Sequence, residues 1–462
     1  MASVGDRLEL EITDLGHDGQ GVGRHDGQVV FVSGALPGDT VQVRLRAVAR
    51  RHLVGQLQRV LTPSADRRRP PCILADNCGG CSLQPLVDEA EAAWKQRSLE
   101  QTLQRIGGLS APVRPLLRAD PTLGYRNRAL IPLERQADGR LRAGYYRRGS
   151  HRIVNMARCP VLDPRIDALI APLKADLEAS DWPIDRHGND PQAVEGPGLR
   201  HLGLRVGAAT GELLITLISS HDDLTGLEAL ADAWCERWPG LVGVCLNLQP
   251  LPTNRLMGDE TRAIHGRDWL HESFAGLRFR IGADTFFQVN TRQAERLVPH
   301  LLEALGPIPA GGSLLDAYCG IGTYSLPLAA AGWQVSGLEL HPGAVALARL
   351  NARANGLEDR SSFVEADVPQ VLEERLQGLQ ALVLDPPRKG LNPVATAAIL
   401  AARPERIAYV SCDPAALARD LAQLCGSGAY RLSWVQPIDF FPNTSHVEAL
   451  AALERLTPPL RR

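Results

Sequence analysis

The chain lacks the features that mark membrane, secreted or fibrous proteins. No apolar run approaches the roughly 18 consecutive residues of a membrane span. The first ten residues, MASVGDRLEL, lack the basic and then apolar layout of a secretory signal. The 43 glycines and 33 prolines show no collagen-like period, and there is no internal repeat. We therefore expect a globular cytoplasmic protein with no membrane partner.

Lysine is also scarce, so arginine carries almost all of the positive charge. Only three of the 50 basic residues are lysines, Lys95, Lys174 and Lys389. Against 52 acidic residues, the formal net charge is −2. Taken over the whole chain, this balance argues against a basic nucleic-acid-binding protein.

Two arginine-rich segments depart from that average. Residues 40–69 contain eight arginines and one acid, Asp66. Residues 125–158 contain nine arginines and two acids, interleaved with three tyrosines, Tyr125, Tyr145 and Tyr146. Guanidinium planes and aromatic rings together favour unstacked RNA bases. The charge in 40–69 alone fits a phosphate-binding surface and a solvated face equally well.

The length and the hydrophobic content of 44% allow two to four domains. Residues 1–61 contain about five short alternating strands, which predicts a small OB-like β-barrel. Residues 62–275 predict a central α+β domain with a helix over about 86–106 and a hairpin turn at 209–212. In residues 276–462, strands alternate with helices, which predicts a doubly wound, Rossmann-like α/β domain with a parallel sheet. Its predicted strands cover residues 314–318, 335–339, 362–364, 381–385, 406–411, 431–435 and 446–453.

A nucleotide-type turn follows the first strand of the third domain. Asp316 ends an apolar strand that runs into a Gly-x-Gly turn at Gly320 and Gly322. Glu339 ends the next strand, where a carboxylate can accept both hydroxyls of a ribose. The turn lacks the third glycine of the dinucleotide fingerprint, which favours S-adenosylmethionine over NAD without deciding between them.

Three more strand ends carry reactive side chains. The string Asp-Pro-Pro-Arg over residues 385–388 follows one apolar strand, and Cys412 follows the next. A thiolate is a soft nucleophile that adds to a conjugated carbon and leaves again. Glu448 enters the last strand in an apolar setting, which indicates a costly burial or a general base with a raised pKa.

Three cysteines cluster within ten residues, Cys72, Cys78 and Cys81, and Cys159 lies further along the chain. In a reducing compartment, clustered cysteines indicate a metal site or catalysis rather than disulfides. A zinc site with four cysteine ligands is one reading of this pattern.

Taken in order, these motifs resemble those of the RNA uracil-C5 methyltransferases. The shared strings are Phe286-Phe287-Gln288-Val289-Asn290, Asp316-x-Tyr318-Cys319-Gly320-x-Gly322, Asp385-Pro-Pro-Arg388, Ser411-Cys412-x-Pro414 and His446-x-Glu448. Residues 21–24 and 35–39 resemble a TRAM domain, a small RNA-binding barrel. The three clustered cysteines, together with Cys159, resemble the iron–sulfur site of the 23S rRNA uracil-5-methyltransferases. Their single Cys-x2-Cys pair suits a 4Fe-4S cluster better than zinc.

The resemblance implies methyl transfer from S-adenosylmethionine to C5 of a uridine in 23S rRNA, giving 5-methyluridine. Cys412 would add to C6, and Glu448 would remove the proton from C5. The metal ligands would be Cys72, Cys78, Cys81 and Cys159. The family's cofactor contacts fall here on Gln288, Tyr318, Thr323, Glu339, Asp367 and Asp385. No obligate protein partner is implied, and we expect a monomer.

Four alternatives remain open at this point. An rRNA methyltransferase of the same family that acts on another uridine would tend to lack the N-terminal barrel. A tRNA uracil-C5 methyltransferase typically lacks both the TRAM-like region and the cysteine cluster, so residues 1–81 speak against it. A non-catalytic RNA-binding assembly factor would not need Cys412 and Glu448. An NAD oxidoreductase would need neither Cys412 nor the Asp-Pro-Pro loop.

Overall fold

The strands of this computed structural model form a closed barrel, a six-stranded sheet, a two-stranded hairpin and a seven-stranded sheet. The structure describes residues 2–136, 138–184, 198–251, 253 and 255–456. Within these ranges, none of the helices combines the length and apolar character that a membrane span needs.

The barrel confirms the five strands expected at the N-terminus. Its strands are β1 (Arg7–Leu15), β2 (Gly21–His25), β3 (Gln28–Ser33), β4 (Thr40–Val48) and β5 (His52–Thr62). They close in the order β1-β2-β3-β5-β4, with β4 pairing back onto β1. Alternate side chains such as Ile12, Val32 and Val43 fill the interior, since successive residues of a strand point to opposite faces.

The central region contains a mixed sheet of the order β11-β10-β9-β8-β6-β7. Its elements are β6 (Arg128–Arg135), β7 (Leu141–Ala143), α2 (Pro164–Ala179), β8 (Leu199–Val206), β9 (Leu213–Ser219), α3 (Leu227–Arg237), β10 (Leu241–Leu248) and β11 (Glu260–Gly266). Strands β8 and β9 form the hairpin predicted at residues 209–212. The helix predicted at 86–106 is α1 (Asp88–Gly107).

Helix α1 packs on the third region rather than on the central sheet. Leu99 and Leu103 share a core with Leu421 and Leu424 near the C-terminus. Residues 113 and 117 likewise bridge to the edge strand of the third region. The hairpin of β12 (Trp269–Phe274) and β13 (Leu277–Gly282) spans the predicted boundary at 275. The division into three domains stays a prediction, and these contacts cross its predicted boundary at residue 275.

The third region is a seven-stranded sheet of the order β16-β15-β14-β17-β18-β20-β19. Its elements are α4 (Thr291–Leu305), β14 (Ser313–Ala317), α5 (Ser325–Ala330), β15 (Gln334–Glu339), α6 (Pro342–Ala354), β16 (Ser361–Glu365), α7 (Val368–Arg375), β17 (Ala381–Leu384), α8 (Pro393–Ala402), β18 (Arg406–Ser411), α9 (Pro414–Gly426), β19 (Tyr430–Ile438) and β20 (Glu448–Arg455). All seven predicted strands are present. Neighbours such as Leu382 and Val383 enter different cores, so both faces of the sheet are covered.

One expectation about this sheet is corrected. A wholly parallel sheet was expected, but β20 runs antiparallel to both of its neighbours. The connection from β19 to β20 is a nine-residue loop without a helix, and antiparallel strands need no crossover helix. The reversal places the first residue of β20 at the edge where the parallel strands end.

Candidate active site

The reactive residues meet at the carboxyl edge of the seven-stranded sheet. Strands β14, β15, β17 and β18 are parallel neighbours, so their carboxyl ends lie together. Ser411 at the end of β18 pairs with Ala449 in β20. Cys412 directly follows Ser411 and Glu448 directly precedes Ala449, so both residues lie beside the last pair of this ladder, and Glu448 is one of the charged groups that act on the Cys412 thiol.

The carboxyl groups at this edge are held in a low-dielectric setting. Burial raises the pKa of Glu448 to about 8, and the nearby Asp385 adds to the rise. Burial and the neighbouring Asp316 raise the pKa of Asp385 to about 7. The positive charge of the exposed Arg388 opposes the rise at Glu448. Three carboxyl groups in one buried space cannot all be charged cheaply, so at least one carries a proton near neutral pH.

Cys412 is partly exposed and lies at the same place. Burial raises the pKa of its thiol to about 11, with Glu448 and Asp385 contributing and Arg388 opposing. The free thiol therefore needs a nearby base or a bound substrate to become a nucleophile. Behind it, the Asp413 side chain accepts a hydrogen bond from the Ala416 backbone at 2.8 Å and caps α9.

The nucleotide-type turn has the features of a ligand cradle. Tyr318, Gly320 and Gly322 adopt positive φ angles of 71°, 57° and 84°. The two carboxylate oxygens of Glu339 accept hydrogen bonds from the backbone N–H groups of Gly320 at 3.1 Å and His341 at 2.8 Å. Each of these oxygens has two lone pairs and retains capacity for a ligand hydroxyl. A cavity of about 280 Å³ opens over Gly320 and Glu339.

The other predicted cofactor contacts surround the same edge. Gln288 is buried, and its backbone carbonyl accepts a hydrogen bond from Asn127 at 2.9 Å. Thr323 is also buried in the turn. Asp367 begins α7 and lies near the half-buried Tyr318, whose pKa is raised by burial and by that carboxylate. Of the six predicted contacts, Glu339 alone lines the cavity over Gly320, and the individual contacts stay predictions.

The sequence analysis missed one buried polar group at this edge. Tyr324 follows Thr323, is 4% exposed, and its hydroxyl has no hydrogen bond of ordinary geometry within the described part of the chain. Its charged neighbours are Asp385, Glu448 and Asp316, and burial raises its pKa well above the usual range. Its position next to the cofactor turn was the available signal.

The four clustered cysteines line one cavity of about 240 Å³, together with Tyr125, Tyr145 and Thr444. Burial raises the pKa of Cys81 to about 11 and that of Cys159 to about 12, and the neighbouring cysteines add to both shifts. As the side chains are placed, no three His, Cys, Asp or Glu residues in the described ranges form a metal-binding group.

The two arginine-rich segments differ from expectation in detail. Tyr125 and Tyr145 line the cysteine cavity and do not offer free faces for bases, whereas Tyr146 is exposed. Arg67 forms an ion pair with the buried Asp39, and Arg68 pairs with Asp88 at 2.8 Å. These two arginines are thus committed within the protein. The exposed arginines of the two segments are Arg44, Arg46, Arg50, Arg51, Arg59, Arg69, Arg140, Arg147, Arg152 and Arg158.

Comparison with known proteins agrees with this geometry. Residues 259–456 match the family described as tRNA (Uracil-5-)-methyltransferase, and residues 2–58 match the TRAM domain. An uncharacterized RNA methyltransferase from Parasynechococcus marenigrum is 50% identical over 98% of this chain and 96% of its own length. Another from Halalkalibacterium halodurans is 36% identical over 97% of each chain.

A solved structure supports the same assignment. The tRNA (uracil-54, C5)-methyltransferase of Pyrococcus abyssi, in complex with S-adenosyl-L-homocysteine, aligns with a TM-score of 0.76 and 26% identity. The alignment covers 96% of this chain and all of that one. The chain therefore belongs to the RNA uracil-5-methyltransferase family, whose methyl donor is S-adenosylmethionine, and it carries an N-terminal TRAM domain.

Proposed function

We propose that this protein methylates C5 of one uridine in 23S rRNA, with Cys412 as the nucleophile and Glu448 as the general base. The observation that supports the proposal is the pairing of Ser411 with Ala449, since Cys412 and Glu448 are the residues next to this pair and Glu448 acts electrostatically on the Cys412 thiol. A nucleophile and a base must both reach one pyrimidine ring, and adjacent strand ends provide that spacing.

The proposed reaction has three steps. The Cys412 thiolate adds to C6 of the uracil, which makes C5 nucleophilic. S-adenosylmethionine supplies an electrophilic methyl group, which C5 takes as S-adenosylhomocysteine leaves. Glu448 then removes the proton from C5, the bond between sulfur and C6 breaks, and 5-methyluridine and free Cys412 remain. The positive charge of Arg388 acts on both groups and favours their ionised forms.

The cofactor contacts are proposed residue by residue. Glu339 accepts hydrogen bonds from the ribose hydroxyls, since its free lone pairs face the cavity over Gly320. Gln288, Tyr318, Thr323, Asp367 and Asp385 line the rest of the binding site around the same sheet edge. The support for these assignments is their position in the fold.

The choice of 23S rRNA rests on the four cysteines, as the resemblance implies, because the alignment with the Pyrococcus tRNA enzyme covers 96% of this chain and the barrel therefore does not separate the two substrates. The full-length similarity to the Pyrococcus enzyme, whose name specifies uridine 54 of tRNA, supports tRNA as the second candidate. Both candidates use the same chemistry at Cys412. Only the RNA that is methylated separates them.

We also propose that Cys72, Cys78, Cys81 and Cys159 hold a 4Fe-4S cluster. Their thiols line one cavity, and two of the sulfurs already accept backbone N–H groups: Cys72 from Leu74 and Cys78 from Gly80, both at 3.4 Å. Such N–H to sulfur contacts accompany cluster ligation. A bound cluster would stabilise the four cysteines as thiolates, which is the charged form that burial disfavours.

The decisive experiment supplies 23S rRNA and bulk tRNA from a strain without the enzyme, together with methyl-labelled S-adenosylmethionine. We expect label in 23S rRNA as 5-methyluridine at one mapped position. Cys412→Ala should lower transfer by about a thousandfold or more. Cys235→Ala, which removes a half-buried thiol on α3, is the matched control and should keep wild-type transfer.

Label in tRNA alone would exclude the rRNA assignment and leave the second candidate. Full transfer by Cys412→Ala would exclude the mechanism. Absence of transfer to either RNA by the wild-type protein would exclude the enzyme altogether.

A further inference from the structure

We propose that Asn443 is the positioning residue for Glu448, holding the loop that delivers this base to the uracil. The inference rests on the proposed function and goes further, because it assigns a role to a residue outside every motif of the reaction. Asn443 lies in the loop between β19 and β20, five residues before Glu448.

Asn443 is fully buried and adopts a left-handed backbone conformation, with φ of 69°. Among residues with a side chain, Asn tolerates this region best because its short amide can bond locally. Here the amide bonds elsewhere. Its Nδ2 donates to the Thr122 carbonyl at 2.8 Å, and its Oδ1 accepts from Arg68 at 3.1 Å.

The backbone of Asn443 is held as firmly as its side chain. Its N–H donates to Glu91 of α1 at 2.8 Å. Its carbonyl accepts from the backbone N–H of Leu83 at 3.0 Å. One residue thus joins four segments of the chain, and all four of its polar groups are satisfied inside the protein.

A buried network of charged side chains also contacts this loop. Lys95 is completely buried, and its ammonium contacts Glu91 and Asp439, each at 2.7 Å. It also donates to the carbonyl of Phe441 at 3.1 Å. A lysine is almost never fully buried unless it is paired, so this charge is committed to the loop.

The segment that follows the clustered cysteines provides the last anchor. Ser82 accepts a hydrogen bond from the backbone of Ser445 at 3.2 Å, and Thr444 lines the cavity of the cysteines. The loop is therefore fixed at 439, 441, 443 and 445, immediately before β20 begins. Loosening the loop shifts Glu448, the first residue of β20, while Cys412, which follows β18, keeps its own support.

This asymmetry gives the test a specific signature. If only the base is displaced, Cys412 still attacks and C5 is still methylated, but the proton is removed slowly. A covalent protein–RNA adduct then accumulates. A general loss of structure would instead lower adduct and product together.

The experiment compares the adduct on a denaturing gel for wild type, Glu448→Gln, Asn443→Gly and Arg68→Met, with labelled RNA. Glycine keeps the positive φ and the backbone bonds but removes the amide. We expect Asn443→Gly to raise the steady-state adduct by about tenfold or more, because small displacements of a reacting group cost large factors in rate. The KM for S-adenosylmethionine should change less than twofold.

Two matched controls accompany these variants. Asn355→Gly removes an amide that also bridges two segments, through bonds of 2.9 and 2.8 Å to Arg278, far from β20. Arg69→Met removes the exposed neighbour of Arg68. Neither control should accumulate adduct. Arg68→Met changes a half-exposed residue and removes one hydrogen bond to Asn443, so it should show a smaller rise in adduct. This variant tests the proposal if Asn443→Gly fails to fold.

The positioning role would be overturned if Glu448→Gln accumulated adduct while Asn443→Gly behaved like the wild type. If Asn443→Gly did not fold, wild-type behaviour of Arg68→Met would have the same meaning. Either result would leave the proposed function intact. Loss of product without adduct in a folded Asn443→Gly would also overturn the positioning role. Absence of both product and adduct in the wild type and in Glu448→Gln would instead count against the proposed function itself.

Discussion

At the scale of single residues, burial determines which groups of the site are charged. Glu448 is 5% exposed and shares its space with Asp385, so its pKa of about 8 lies well above that of a free glutamate. A general base must be deprotonated to act. The proposed base is therefore only partly in its active form at neutral pH in the absence of substrate.

This predicts that turnover rises with pH. Below a pKa of about 8 the carboxylate fraction of Glu448 grows about tenfold per pH unit, and the thiolate fraction of Cys412, whose pKa is about 11, grows as well, so single-turnover rates should climb from pH 6 to pH 9. Arg388→Met removes a positive charge that lowers the pKa of both Glu448 and Cys412, and it should shift the profile to higher pH. Lys389→Met, at the exposed neighbouring position, is the control and should leave the profile in place. A flat profile between pH 6 and 9 would contradict the assignment of Glu448.

Much of the candidate site was accessible from the sequence because several motifs follow directly after a strand. Cys412, Asp385 and Glu339 had to meet, since the carboxyl ends of parallel strands share one edge. The partners of buried polar side chains were not accessible in this way. Asn443 bonds to Arg68 across most of the chain, and no local pattern encodes such a contact.

The same limit explains the corrected expectations. Tyr125 and Tyr145 have the composition of an RNA-stacking surface, but the fold turns them toward the cysteines. Whether an aromatic ring lies inside or outside depends on packing between distant segments, which composition does not specify. The direction of β20 was likewise set by a short loop whose length permits a reversal.

At the scale of elements, helix α1 is joined to the catalytic sheet by charge as well as by apolar packing. Lys95 lies on the same helix as Leu99 and Leu103. Its ion pairs with Glu91 and Asp439 compensate for the removal of these groups from water only while all partners remain, and burial together with Asp439 raises the pKa of Glu91 to about 7.

We predict that Lys95→Met destabilises the protein by about 3–5 kcal/mol, because it leaves Glu91 and Asp439 buried without a cation. Denaturant unfolding measures the change in free energy. Lys174→Met removes a half-exposed lysine that donates to Asn155 at 2.7 Å, and it should change stability by less than about 0.5 kcal/mol. Equal effects of the two substitutions would show that the network contributes nothing to stability.

At the scale of the whole molecule, the cysteine cavity joins distant parts of the chain. Cys72, Cys78 and Cys81 come from the segment after the barrel, and Cys159 precedes α2. A cluster bound there would link the barrel side to the central sheet. It would also adjoin Thr444 in the loop before Glu448.

Anaerobically prepared protein should therefore be brown and contain about four iron atoms per chain, with visible thiolate-to-iron absorbance. Cys81→Ser should reduce the iron content strongly, whereas Cys425→Ser, a half-buried cysteine of α9, should not. Colourless anaerobic protein with stoichiometric zinc would contradict the cluster.

The position of α1 also bears on how the chain folds during synthesis. Its apolar face packs against α9, which begins at residue 414, far along the chain from the end of α1 at residue 107. The burial of Leu99 and Leu103 with Leu421 and Leu424 therefore depends on a contact of very long sequence separation. Such contacts form late and slow the folding of a domain. The fold therefore leaves the apolar face of α1 without α9 while the residues between the two helices are made, a period in which protection against aggregation matters.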